Sequence, residues 1–232
     1  MAPYMGKYQH RSPEEKRRLH FVSVFLSFVL IELFGLSFLL PAGEKANFSL
    51  VFGLLWSAGL SAALVLLPSM AARIVYGITY FLSVVYAGFQ TGYYLLFSEM
   101  LWLSDFRYAS EGADYADVLL TYPVSWWLGL LGLLLLGGLI LWKFPRWNRN
   151  IWKVLLSVLL IAAAVLEMGR LPQRLYEADE KIQYAGSDYG RSQSAQAVYE
   201  NMFNAHRLYR LCGLHHTLAK DIYRHAIYPL TP

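Results

Sequence analysis

Long apolar segments alternate with short polar ones along the chain, and five of the apolar segments have the length of a membrane span. A helix of roughly 20 apolar residues crosses a hydrocarbon layer of about 30 Å. None of the five segments shows the every-second-residue alternation of a barrel strand. The pattern therefore predicts an all-α polytopic membrane protein with spans at residues 21–40, 49–67, 74–97, 124–142 and 151–169.

The basic residues between these segments predict an orientation. Because cytoplasmic loops carry an excess of lysine and arginine, the side with more of them is expected inside. That side would hold Lys7, Arg11, Lys16, Arg17, Arg18, Arg73, Lys143, Arg146, Arg149 and Lys153, against Lys45 and Arg107 on the other. Residues 1–20 are thus predicted to be a basic cytoplasmic N-terminus, and residues 170–232 to be extracytoplasmic.

Composition agrees with a membrane protein and narrows the partners. Hydrophobic residues make up 56% of the chain and charged residues 16%, against about 25% charged residues in soluble domains. The formal net charge is +4, but the basic residues sit in short clusters beside the spans. They therefore indicate membrane topology, with the lipid bilayer as partner, rather than binding of nucleic acid.

Four polar residues in or beside the spans are candidate membrane contacts. Glu32 lies near the middle of the first span, where a carboxylate costs about 2.5 to 3.5 kcal/mol on insertion scales. It is expected to face the bundle interior, either as a proton or headgroup contact or as a protonated carboxyl bonded to a neighbouring helix. Gln90 lies in the third span. Glu167 and Arg170 are three residues apart near the outer end of the fifth span, a spacing that allows them to pair.

The region 170–232 is predicted to be an amphipathic helical tail, with apolar residues at spacings of three and four from Ala195 onward. Gly213 interrupts this pattern and predicts a boundary between two helices. The apolar face must pack on the membrane surface, on the five-span bundle or on a further domain. Between spans three and four, residues 98–123 are predicted to lie in the membrane interface, with "ADYADVLLTYP" as a possible short helix.

The tail also raises the question of a metal site, because it holds the only cysteine and four histidines, His206, His215, His216 and His225. Cys212 and His215 have an acceptable ligand spacing but lack a second pair. Nearby arginines and lysines disfavour a bound cation, so surface or interface histidines are favoured. Nucleophile-elbow, phosphate-loop, zinc-protease and dinucleotide motifs are missing from the sequence. We therefore predict no catalytic residue, metal ligand or cofactor site in this chain.

Two segments resemble the membrane part of the lipoteichoic acid synthase family. "YYLLFSEMLWLSDF", Tyr93 to Phe106, is similar to the Tyr- and Phe-rich end of that family's third span. "RLYRLCGLHHTLAKDIYRH", Arg207 to His225, resembles the family's linker, in which a hydrophobic-Gly-Leu core precedes an aspartate. The matching linker positions are Leu211, Gly213, Leu214 and Asp221. The resemblance covers nearly the whole chain.

The resemblance implies a membrane anchor of a phosphoglycerol transferase in a bacterial cell membrane. In that family a sulfatase-like extracellular domain carries the catalytic threonine and the manganese ligands, and it would follow residue 232. Thr217 and Thr231 do not match the catalytic motif, so no catalytic residue is carried over. The chain is then expected to be a fragment, a split gene product or a stand-alone anchor that handles phosphatidylglycerol. The alternative is a small scaffold or accessory protein that binds a partner through its outer tail.

Overall fold

The protein is an all-α polytopic membrane protein. A computed structural model describes residues 13–40, 47–108, 121–144, 151–180, 194–202 and 204–227. In these ranges there are no strands, and the α-helices are α1 (Pro13–Leu39), α2 (Asn47–Leu66), α3 (Ser69–Phe97), α4 (Val124–Trp142), α5 (Ile151–Glu180), α6 (Ala195–Asn201) and α7 (Ala205–Ile227). A 3-10 helix covers Leu103–Tyr108. The proposed short helix in "ADYADVLLTYP" falls mostly on residues 109–120, outside the described residues.

The helices α1 to α5 contain the five predicted spans, and each is long and apolar enough to cross a membrane. Three of them extend beyond the apolar segment. α1 already begins at Pro13 and α3 at Ser69, because polar residues continue a helix without disturbing its backbone bonds. α5 continues through Pro172 to Glu180, so the start of the predicted linker is part of the fifth helix.

α1, α2 and α3 form the centre of the bundle. α4 packs against α3 and α1 on one side, and α5 packs against α2 on the other. Hydroxyl groups on α3 and near the start of α4 join these two helices: Tyr80 donates to the Leu133 carbonyl (2.8 Å) and Tyr122 donates to the Gly92 carbonyl (2.8 Å). The outward faces of α4 and α5 expose large apolar residues, as expected for helices that meet lipid.

We call the end of the bundle where α1 and α3 finish and α2 and α4 begin the tail side, because α6 and α7 pack there. α7 occupies the groove between α1 and α2, while α6 lies between α5 and α7. Leu208 and Leu214 on the apolar face of the tail are fully buried. Of the three packing partners that the sequence left open, the structure identifies the five-span bundle.

A break at Gly213 shapes α7 into two helical arms. Gly213 has φ 77° and ψ 177°, values outside the helical region, so the predicted helix boundary is confirmed. On the first arm, His206 Nε2 lies 2.9 Å from the Leu39 carbonyl oxygen, at the end of α1. On the second arm, Asp221 contacts the 3-10 helix. Both arms thus reach the tail side, and the break between them lies deeper in the bundle.

Candidate functional site

The break in α7 places a helix start against the carboxylate of Glu32. The first N–H groups of a helix have no partner within it. Here the Leu214 N–H donates to Glu32 Oε2 (2.8 Å) and the His215 N–H donates to Oε1 (2.9 Å). The carboxylate in α1 therefore serves as the cap of the second arm of α7. Of the alternatives that the sequence left open for Glu32, the bond to another helix is present, with the carboxyl oxygens as acceptors.

His215 adds a third donor and extends the contact to α3. Its Nδ1 lies 2.6 Å from Glu32 Oε1, and its Nε2 lies 3.3 Å from Ser83 Oγ. A carboxylate oxygen accepts, so the proton is assigned to Nδ1; in that tautomer Nε2 is an acceptor for the Ser83 hydroxyl. We call Glu32, His215 and Ser83 the relay. Its members are 2%, 7% and 5% exposed, so the bonds form away from bulk water.

Two glycines make room for this arrangement. A Cβ atom on Gly53 of α2 would lie 2.9 Å from Glu32 Cγ, closer than real Cβ contacts allow. A Cβ on Gly213 would lie 3.0 Å from the Ser49 carbonyl oxygen and 3.1 Å from Glu32 Oε2. The absence of side chains at these positions lets α1, α2 and α7 approach closely enough for direct bonds to the carboxylate.

His216 anchors the tail to α2 and α6. Trp56 Nε1 donates to His216 Nδ1 (3.2 Å), and His216 Nε2 lies 3.0 Å from the Tyr199 hydroxyl. Lys220 Nζ donates to the Tyr199 carbonyl (2.6 Å) and stands 3.4 Å from the centre of the Tyr199 ring. Burial, with Lys220 nearby, lowers the pKa of His216 to about 4. The docked imidazole is therefore neutral at physiological pH.

This shift predicts that acid weakens tail docking. An imidazole in water titrates near 6.5, so the undocked tail takes up a proton between pH 6.5 and 4 while the docked tail does not. The contribution of His216 to the stability of the docked tail is complete above pH 6.5. It decreases as the pH drops toward 4, by roughly 3 kcal/mol in total. The measurement is the thermal midpoint of the detergent-solubilised protein between pH 7 and 4, compared with His216→Phe. A variant with the same pH slope as the wild type would contradict the assignment.

Gln90 holds the loop after α3 rather than a lipid. Its amide donates to the Leu101 carbonyl (2.8 Å) and accepts from the Leu101 N–H (3.0 Å). The neighbouring N–H of Leu103 donates to Asp221 Oδ2 of α7 (2.7 Å). Burial raises the pKa of the Asp221 carboxyl, although this bond opposes the shift. The loop is thus joined both to α3 and to the tail.

Replacing Gln90 with leucine is expected to loosen this loop. The change removes both partners of the Leu101 backbone, at a cost of about 2 kcal/mol. Amide hydrogen exchange over residues 98–103 should become up to about thirtyfold faster. Gln196→Leu is the matched control, because Gln196 is exposed and pairs with Glu200 within α6. Unchanged exchange in Gln90→Leu would show that the loop is held by its apolar contacts alone.

Glu167 and Arg170 form the pair that their spacing predicts, with 3.2 Å between Oε1 and Nη1. Arg174 Nη1 lies 3.5 Å from the other carboxylate oxygen. All three side chains are substantially exposed, so this pair stands apart from the relay. Exposed ion pairs of this kind stabilise by about 0 to 1 kcal/mol.

The cysteine and histidines of the tail do not gather around one point. In the described parts of the chain, no three His, Cys, Asp or Glu side chains are placed to hold a metal ion. Cys212 is fully buried, and burial raises the pKa of its thiol. A reagent added from outside is therefore expected to miss Cys212 while α7 is docked. Reaction of Cys212 is therefore a reporter of docking.

The sequence singled out Glu32, Gln90, Gly213 and Asp221, but not their partners. Ser83, Trp56 and Gly53 are small or polar positions inside apolar spans, and that signal could have marked them as interior. His215 and His216 were noticed only as possible metal ligands. Comparisons with protein-family models, with curated proteins and with solved structures find no match to this chain.

Proposed function

We propose that this chain is the membrane anchor and lipid-facing part of a phosphoglycerol transferase similar to lipoteichoic acid synthases. The observation that carries the proposal is the capping of α7 by Glu32, three bonds in a buried site. A segment held in this way fixes whatever is attached to its far end at a defined place above the membrane. An anchor that presents a catalytic domain to membrane lipids needs this property, whereas a flexible tether lacks it.

The loop after α3 would shape the lipid entry of such an anchor. It is tied to α3 through Gln90 and to α7 through Asp221, and Trp102 packs against buried residues of the bundle. In this proposal the reacting lipid is phosphatidylglycerol, and the loop and tail frame its headgroup at the outer leaflet. A sulfatase-like domain would supply the catalytic threonine and the manganese ions.

The proposed setting is a bacterial cell membrane with a cytoplasmic N-terminus and an extracytoplasmic tail side. The distribution of basic residues supports this orientation. The tail and the loop after α3 lie on the same side of the bundle, as an anchor of an external enzyme requires. A cysteine introduced at Tyr223, which is 66% exposed, should react with an impermeant reagent in intact cells. Reaction only after permeabilisation would reverse the orientation.

Two experiments test the proposed function. Genomic DNA downstream of codon 232 should contain a sulfatase-like region, in frame, frameshifted or as a neighbouring gene. The chain, reconstituted in phosphatidylglycerol vesicles, should then recruit that domain and increase formation of glycerol-phosphate polymer. Glu32→Ala, which releases the tail, should lose most of the increase. The proposal would be refuted if the downstream genes were unrelated and the reconstituted chain recruited no sulfatase-like domain.

A scaffold or accessory protein is the second candidate, favoured by one feature of the tail. Ile222 and Tyr223 at the end of α7 are 52% and 66% exposed, although the rest of the helix is largely covered. A photo-crosslinking residue at position 223 distinguishes the candidates, because it should capture either a sulfatase-like domain or an unrelated membrane-associated partner.

A further inference from the structure

The relay has the arrangement of an activated serine. A nucleophilic hydroxyl needs a base within hydrogen-bond reach and a third group that orients the base. Ser83 Oγ lies 3.3 Å from His215 Nε2, and Glu32 Oε1 lies 2.6 Å from Nδ1 of the same ring. The carboxylate itself is fixed by the Leu214 and His215 N–H groups. The order is hydroxyl, imidazole, carboxylate, each in direct contact with the next.

The Ser83 hydroxyl differs from the comparable hydroxyls of the described helices. Ser27, Ser37, Ser57, Thr91 and Thr217 donate to a carbonyl three or four residues back in their own helix, the usual arrangement in a helix interior. The hydrogen bond recorded for Ser83 is instead with the His215 ring. In the tautomer with the proton on Nδ1, the Ser83 proton is directed at His215 Nε2 and not at the helix backbone.

A second feature of this region is a donor without a partner. The Tyr209 hydroxyl of α7 is fully buried and has no hydrogen-bond partner among the described residues. It lies against Gly35, one turn of α1 from Glu32. Buried polar groups without partners are uncommon and call for an explanation. A hydroxyl free to donate here could stabilise negative charge on an oxygen that develops during a reaction.

We propose that Ser83, His215 and Glu32 form an acyl-transfer centre that acts on an ester-linked membrane lipid. Ser83 belongs to a membrane span and is itself only 5% exposed, whereas the preceding residues Phe81 and Leu82 are 56% and 59% exposed on the outside of the bundle. A substrate at this depth of the membrane would be a lipid. The bond in a lipid that an activated serine can cleave is the carboxylic ester of an acyl chain. This function is separate from anchoring.

In the acylation step, Ser83 Oγ attacks the ester carbonyl carbon and its proton passes to His215 Nε2. The bond from the carbonyl carbon to the lipid alcohol oxygen breaks, and that oxygen takes the proton from His215. The products are an acyl-serine and a lipid that has lost one acyl chain. A water molecule then attacks the acyl carbon and gives its proton to His215 Nε2. The bond from that carbon to Ser83 Oγ breaks, Oγ takes the proton back from His215, and a fatty acid leaves. Glu32 keeps Nδ1 protonated and the ring in place throughout.

A hydrophobic fluorophosphonate tests the proposal, because it reacts with activated serines and stays attached. The detergent-solubilised protein is incubated with a decyl fluorophosphonate, and the modified peptide is identified by mass spectrometry. We expect an adduct on Ser83 that is absent in Ser83→Ala and forms about a hundredfold more slowly in His215→Gln. Ser57→Ala is the matched control, a buried span serine bonded to its own helix, and should label like the wild type.

Docking is monitored in parallel through Cys212, so that a misfolded variant is not mistaken for an inactive one. If Cys212 stays protected and Ser83 acquires no adduct, the relay only holds the tail and the proposal is wrong. Labelling of Ser83 that is unaffected by His215→Gln would also overturn it. Tyr209→Phe should slow labelling while leaving docking intact; an unchanged rate would remove Tyr209 from the centre. None of these outcomes bears on recruitment of a sulfatase-like domain.

Discussion

Replacing Glu32 with alanine is expected to release α7 from the bundle. Three donors lose their acceptor at once, the N–H groups of Leu214 and His215 and the His215 ring. Removing one partner of a buried, hydrogen-bonded charge costs about 3 to 5 kcal/mol, because the other groups stay buried without compensation. This is a large part of the stability of a typical domain. The loss should fall on tail docking, since the rest of α1 keeps its apolar contacts.

The reaction of Cys212 with a maleimide measures this release. With α7 docked, the thiol is fully buried and should react slowly. A loss of about 4 kcal/mol increases the undocked population by roughly a thousandfold, and the rate of modification should rise in proportion until undocking is complete. Glu167→Ala is the control, since it removes another carboxylate near the tail side whose ion pairs are exposed. Continued protection of Cys212 in Glu32→Ala would show that apolar packing alone holds the tail.

Replacing Gly213 with alanine should destabilise the same contact by a different cause. Its φ of 77° with ψ of 177° is a backbone conformation that is nearly restricted to glycine and costs other residues about 1 to 3 kcal/mol. The new Cβ would also press on the Ser49 carbonyl oxygen at 3.0 Å, a backbone atom that cannot rotate away. We expect a total loss of about 3 kcal/mol, measured as the thermal midpoint and by Cys212 protection.

Gly138→Ala is the matched control for this prediction. Gly138 lies within α4, and no atom lies within 4 Å of its Cβ position. Alanine there should be neutral or stabilise by up to about 1 kcal/mol through helix propensity. The double variant Glu32→Ala with Gly213→Ala completes a thermodynamic cycle. Because both changes act on one contact, the double variant should lose less stability than the two single variants lose together. Full additivity would mean that Gly213 and Glu32 act independently.

The bundle could be predicted from the sequence because its physical cause is local. Most residues of a span such as 124–142 are strongly apolar, so its position can be predicted without knowledge of the other helices. The structure places α4 at Val124–Trp142, the same bounds. The ends of α1 and α5 were predicted less well, because a helix can continue into polar sequence such as the residues after Gly169, where hydropathy gives no signal.

The relay could be predicted only in part, because it is assembled from distant residues. A carboxylate within an apolar span indicated an interior position for Glu32. Its partners lie 182 and 183 residues further along the chain, and the periodicity of the tail shows that one face is apolar without showing what covers it. The Ser83 contact depends on the rotation of α3 and on the break at Gly213 together. Such a contact results from the packing of distant helices, so the local sequence pattern does not predict it.

The distance along the chain between Glu32 and its donors has a consequence for how the protein is made. Ribosomes add about 5 to 20 residues per second, so residues 214 and 215 are synthesised roughly 10 to 40 s after Glu32. During that interval the first helices enter the membrane while the carboxyl group has no partner from the tail. Gly53 arrives early and leaves the space beside it open. The early helices thus form an incomplete binding site, and α7, which is synthesised after all five spans, completes it.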